Sequence, residues 1–175
     1  MTDINQKNKY IIRVSLLCHP EDLLFPLIRA LIQKYKGQTT NHTFEDLSLT
    51  VSTINIRIAN RIVKVILVQP IGRGFFKKMF GHHFHSSGAI IAFSKDNDDS
   101  FESSRALYQR FKDINTTEVP IAFVGIQESP DDLVTDEPIQ LEVGTSEFYY
   151  FIQHKDFEEL GKILLSLVKK IFTPT

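Results

Sequence analysis

The chain predicts a three-layer α/β sandwich, built on a mostly parallel six-stranded sheet with one antiparallel edge strand. Three observations carry this. Apolar runs at residues 10–17, 89–93 and 121–125 read as buried strands, and they alternate with helical patterns. Parallel strands require such helical crossovers, which then cover both faces of the sheet. Finally, Asn60-Arg61 forms a tight turn between two strand patterns, which only an antiparallel pair can use.

Each element has its own signal. The run at 10–17 opens the sheet. Leu23, Leu24, Leu27, Ile28, Leu31, Ile32 and Tyr35 then recur at helical spacing, and Gly37 stops that helix. Pro26 would kink it unless the helix proper begins near Phe25. Polar residues 38–46 read as a loop. Leu47, Leu49 and Val51 alternate in one phase and Ile54, Ile56 and Ile58 in the other, which predicts a bulge near Ser52-Thr53 within one long strand. The hairpin partner is 62–68. After the strand at 89–93, residues 100–114 form a helix begun by Asp98, Asp99 and Ser100. Short strands follow at 121–125 and 148–152. Phe157, Leu160, Ile163, Leu164, Leu167, Val168 and Ile171 mark an amphipathic closing helix. Residues 128–145, with Pro130 and Pro138, carry no helical pattern. We expect one domain over 1–175, with 1–8 as a disordered tail.

Composition narrows the function classes. A net charge of −1 offers no electrostatic footprint for nucleic acid. The single cysteine, Cys18, excludes an internal disulfide and fits a reducing compartment. No apolar run approaches the roughly 20 residues of a bilayer span, no signal segment is evident, and Thr2 and the C-terminal Ile171-Phe-Thr-Pro-Thr offer no lipidation site. The expectation is a cytoplasmic protein without a direct membrane anchor.

The chemistry-bearing position is the turn after the first strand. Glycine-rich phosphate loops read G-x-x-x-x-G-K-[ST] at this point. Here Ser15 and Pro20 stand at the glycines, Glu21 at the lysine and Asp22 at the hydroxyl residue. With the hairpin turned at Asn60-Arg61 after a long loop, Val68-Gln-Pro-Ile-Gly72, Ser87-Gly-Ala-Ile-Ile-Ala-Phe-Ser-Lys-Asp-Asn-Asp-Asp-Ser-Phe-Glu102 and Val119-Pro-Ile-Ala-Phe-Val-Gly125, the chain resembles the Ras-like small GTPases over nearly its whole length. The resemblance implies a nucleotide site whose residues are changed. Gln69 takes the place of the Mg²⁺-linked aspartate, although Gly72 remains, and Arg73 follows it. Ile126, Gln127, Glu128 and Ser129 replace the guanine-reading N-K-x-D, and Phe151-Ile-Gln-His-Lys155 has no S-A-K loop. Thr39, Thr40 or Thr43 stands where the family has its switch threonine.

These substitutions oppose phosphate binding physically. A phosphate loop converges backbone N–H groups on an anion at a helix N-terminus. Pro20 has no N–H to give. Glu21 and Asp22, placed in the first helical turn, would occupy the positive end of the helix themselves. They would also repel a triphosphate by roughly 4 kcal/mol per charge pair about 4 Å apart at an effective dielectric near 20. The expectation is a pseudo-GTPase without cofactor, metal or enzyme activity, acting as a protein-interaction or scaffold module. By the resemblance, its partner would be a longin/roadblock-type domain or another GTPase. The alternatives are an atypical NTPase that holds nucleotide through Arg73 and Lys77, and an effector-like binder that sequesters partners of true GTPases.

Other clusters are weaker. His82, His83 and His85 lack a further ligand and read as surface residues; Cys18 beside His19 reads as a structural thiol. Within Gly72-Arg-Gly-Phe-Phe-Lys-Lys-Met-Phe80, the side chains of Phe75, Phe76, Met79 and Phe80 exceed what one buried face of a short segment takes. With Arg73 they are the candidate partner-binding residues.

Overall fold

A computed structural model describes residues 9–44, 47–71, 85–115, 117–127, 147–153 and 156–172. The strands are β1 (Lys9–His19), β2 (Gln38–Phe44), β3 (Leu47–Ile58), β4 (Arg61–Ile71), β5 (Gly88–Ser94), β6 (Ile121–Gln127) and β7 (Glu147–Gln153). The helices are α1 (Phe25–Lys34), α2 (Asp98–Ile114) and α3 (Phe157–Phe172). The strands form one sheet in the order β2-β3-β4-β1-β5-β6-β7. From β4 through β7 every pairing is parallel; β3 is antiparallel to both its neighbours.

Side-chain alternation builds the layers. Ile12, Val14 and Leu16 of β1, Ile54 and Ile56 of β3, and Val63, Val65 and Leu67 of β4 are buried together with α1 and α3. On the opposite face Leu17, Ile91, Phe93, Ile121 and Phe123 pack with Phe111 and the partly buried Phe101 and Tyr108 of α2. The Phe123 ring stacks on Tyr149 at 5.0 Å and meets Tyr108 at 5.3 Å. Full burial of each such large apolar side chain is worth about 1.5–3 kcal/mol over leaving it exposed.

Four sequence expectations need correction. The sheet has seven strands, because much of the expected loop 38–46 is β2. Its β-branched threonines suit a solvated edge, where alternate residues need no apolar partner; Thr39 shares a hydrogen bond with Ser52 at 3.0 Å and Thr40 donates to the Val51 carbonyl at 3.4 Å. As a result the antiparallel strand β3 lies second from the edge. There is no bulge at Ser52-Thr53: the register runs unbroken from Ser48↔Ile71 to Ile58↔Arg61. The apolar phase changes because the strand is lined on different faces along its length, Leu49 and Val51 on one and Ile54 and Ile56 on the other. Finally, Asn97, one residue earlier than expected, caps α2; its side-chain oxygen accepts from Asp99 N at 2.9 Å and Ser100 N at 3.3 Å.

The end of α1 differs subtly. Lys36 has the positive φ of 49°, and Gly37 N donates to Ile32 O at 2.8 Å while Lys36 N donates to Gln33 O at 3.2 Å. This is a Schellman stop whose left-handed residue is the lysine. Gly37 serves packing instead: a Cβ there would lie 2.6 Å from the Thr53 carbonyl oxygen of β3.

Residues 1–8 and 128–146, which include Glu128 and Ser129, lie outside the described residues, as do the candidate partner-binding residues Arg73, Phe75, Phe76, Met79 and Phe80 and the neighbouring Gly72, Lys77, His82 and His83.

Candidate functional site

The β1–α1 turn is where the sequence places its altered phosphate loop, and its geometry starts with β1. That strand stays paired with β5 through Cys18↔Ala92 and His19↔Phe93. Ser15 is thus a buried mid-strand residue, its hydroxyl bonded to that of Ser86. Ser100, at the start of α2 and fully buried, donates to the His19 carbonyl and accepts from Ser94 N at 2.8 Å, which ties the ends of β1 and β5 together. The His19–Pro20 peptide is cis.

Residues 20–24 then make hydrogen-bonded turns: Leu23 N donates to Pro20 O at 3.1 Å and Phe25 N to Asp22 O at 3.0 Å. Leu23 and Leu24 turn into the core, and α1 begins at Phe25 with Pro26 in its first turn and no acidic residue there. Glu21 and Asp22 therefore lie in the exposed turn before the helix, and not in its first turn as the sequence suggested. The helix starts late because Leu23 and Leu24 are drawn into the core first, and Pro26 suits only an initial helical position.

What the turn aims inward is a carbonyl. The Glu21 carbonyl oxygen accepts from Gln69 Nε2 at 3.2 Å and from the Cys18 thiol at 3.2 Å. Gln69, on β4, is 2% exposed, and Gln69 Nε2 also lies 3.9 Å from Cys18 Sγ. Its Oε1 is buried with no hydrogen-bond partner among the described residues. An anion site needs converging donors; this one converges donors on a carbonyl that the turn itself supplies. Burial pushes the Cys18 thiol from 9.0 up to about 12, with the charges of Glu21 and Asp22 adding to the effect and the Leu24 backbone opposing it.

The structure thus brings Glu21, Cys18 and Gln69 together and separates Ser15 from them along the strand. Sequence spacing could not reveal the Gln69–Glu21 contact, since the two lie 48 positions apart. Ile126 is fully buried in β6 beside the core, and Gln127 is the last residue of that strand. The expected base-reading position is therefore strand rather than loop at these two residues. Thr39 and Thr40 are engaged with β3.

Elsewhere, Lys95 Nζ sits 4.5 Å from the centre of the 41%-exposed Phe151 ring. A cleft of about 500 Å³ between the β3–β4 hairpin and the end of α3 is lined by Tyr10, Ile58, Arg61, Val63 and Phe172 among others. His85 is exposed, and its carbonyl accepts from Arg13. Among the described residues no three His, Cys, Asp or Glu side chains are grouped to hold a metal ion, and no helix is long and apolar enough to cross a membrane. No protein-family model matches the chain, and no curated protein matches it.

Proposed function

We propose that the chain is a pseudo-GTPase: a small-GTPase-like fold that neither binds nor hydrolyses GTP and acts as a protein-interaction module. The observation that carries this is the inward Glu21 carbonyl held by Gln69 Nε2 at 3.2 Å. It opposes a phosphate by polarity of the backbone as well as by side-chain charge, because a carbonyl oxygen repels the anion that a phosphate-loop N–H attracts. The strand order supports the fold reading. Without the edge strand β2, it is the hairpin-plus-parallel order that the resemblance implies.

The functional partner on this reading is another protein, with a longin/roadblock-type domain or a GTPase as the first candidates, and the compartment is the cytoplasm. The test is to denature the purified chain, assay the supernatant for guanine nucleotide, and measure a thermal shift with GTP–Mg²⁺. We expect no nucleotide and no shift. Stoichiometric nucleotide, or a shift of several degrees, overturns the proposal.

A further inference from the structure

β2 ends the sheet. Among the described residues it pairs with β3 alone, and every hydrogen bond of Gln38, Thr39, Thr40 and Asn41 goes to that strand. The ladder also shows which main-chain groups face outward. In an antiparallel pair, opposed residues alternate between those that exchange both N–H···O bonds and those whose side chains come closer instead. Thr39 opposes Ser52 with the two hydroxyls 3.0 Å apart, and Asn41 opposes Thr50, whose hydroxyl donates to Asn41 Oδ1 at 3.1 Å. Both are pairs of the second kind, so Thr39, Asn41 and, by the same alternation, Thr43 turn N–H and C=O away from β3. Edge strands are ordinarily blunted by lysine, proline, an inward charge or a bulge. β2 has no lysine, arginine, aspartate, glutamate or proline, and its register runs unbroken from Gln38↔Thr53 to Phe44↔Leu47. Gln38, Thr39, Thr40 and Asn41 are exposed.

Such an edge fits a copy of itself. A two-fold axis at Asn41 sets Asn41 opposite Asn41 of the second copy, and Thr39 opposite Thr43 of the second copy. Each of these pairs then exchanges both main-chain bonds. The strand carries no acidic or basic residue to repel its own image. The Asn41 side chain suits the axis too. Its oxygen accepts from Thr50, its NH2 has no partner among the described residues, and two facing amides can each donate and accept. A foreign strand would need side-chain pockets or charges to be selected, and this strand offers it no charge to read. We propose that the chain forms a two-fold dimer by antiparallel pairing of β2 with β2 of a second copy about Asn41, which joins the two sheets into one. The pairing uses up both β2 edges, so assembly closes at two copies. The proposal goes beyond the pseudo-GTPase reading and stands without it, because no residue of the β1–α1 turn takes part.

Sedimentation equilibrium of the full chain from about 10 μM to about 1 mM reaches a millimolar Kd, as a contact at the small end of interface sizes requires. The mass should rise toward twice the monomer's. Asn41→Pro removes an N–H that faces away from β3, so the ladder within the chain survives while the dimer loses its central bonds. Asn41→Lys sets two cations at the axis. Each variant should weaken association about tenfold or more. Opposed hydrogen-bonded residues have Cα atoms about 5.5 Å apart, within disulfide reach. Asn41→Cys should therefore oxidise to a linked dimer, and Asn55→Cys, an exposed control on β3, should not. Three results overturn the proposal: a monomer over the whole range, a dimer that both Asn41 variants leave intact, or cross-linking no better at 41 than at 55. For a monomer, hydrogen exchange then names the real occupant. Slow amides at Thr39, Asn41 and Thr43 assign the edge to another segment of this chain, and fast ones leave it to a strand of a different protein. If Asn41→Pro misfolds by circular dichroism, Asn41→Lys and the two cysteine variants still decide. Nucleotide content of the same sample is assayed separately, so a GTP-bound chain would fail the earlier reading without touching this one.

Discussion

Gln69 Nε2 on β4 donates to the backbone carbonyl of Glu21, 3.2 Å away in the turn after β1. The two positions that the resemblance assigns to magnesium and to phosphate are thus joined directly to each other. The contact predicts that charge alone does not restore an anion site. Glu21→Lys should leave the melting temperature in GTP–Mg²⁺ unchanged, because the carbonyl still points inward and Pro20 still lacks an N–H. A shift of several degrees would show that side-chain charge was the whole obstacle.

The same bond is a stability element. Gln69→Ala leaves the Glu21 carbonyl with one donor fewer and opens space in a buried site. It should cost about 1–3 kcal/mol in urea unfolding. A loss within about 0.5 kcal/mol would mean that water replaces the amide without penalty.

Cys18 should be an inert thiol in the folded chain. With its pKa pushed up to about 12, almost no thiolate exists at pH 8, and iodoacetamide should modify the native protein at least about a hundredfold more slowly than the urea-unfolded one. The sign for stability follows. A folded pKa above the unfolded 9.0 contributes stability that is intact below about pH 9 and is lost as pH rises toward about 12. Unfolding curves of the native chain should therefore weaken over that interval more than those of Cys18→Ala.

The end of α1 separates two roles that one glycine often combines. Lys36→Gly removes a Cβ from a left-handed residue, and that gain exceeds the added entropy of the unfolded chain by up to about 1 kcal/mol. Gly37→Ala should lose about 1–3 kcal/mol, because its Cβ would lie 2.6 Å from the Thr53 carbonyl oxygen. Thermal unfolding of the two variants should move in opposite directions.

Gly125→Ala tests the β6–β7 surface. The added methyl would lie 2.7 Å from the Phe151 ring, so the ring must leave its place beside Lys95. We expect a loss of about 1–2 kcal/mol and changed ring signals for Phe151 by NMR. Unchanged Phe151 signals would show that β6 moves instead.

Long-range order came from local signals where burial is periodic. The runs in β1, β5 and β6 and the stripes of α1 and α3 are legible because each element buries one continuous face or both faces. β2 escaped notice because an edge strand of threonine, asparagine and glutamine has no apolar face to show, and a polar strand reads like a loop. The phase change in β3 looked like a bulge because a sequence cannot say that one strand of unbroken register carries half-buried Leu49 and Val51 on one face and buried Ile54 and Ile56 on the other.

At the turn after β1, the residues alone determined that Pro20 lacks a donor and that Glu21 and Asp22 oppose an anion. Side-chain type fixes both. Only the tertiary structure decided where those groups sit: Glu21 and Asp22 in an exposed turn rather than in α1, the Glu21 carbonyl aimed at Gln69, and Arg13, Arg57 and Lys64 on one sheet face with Arg61 on the other. Those relations join residues tens of positions apart. They depend on strand register and on which carbonyl a turn directs inward, neither of which spacing along the chain encodes.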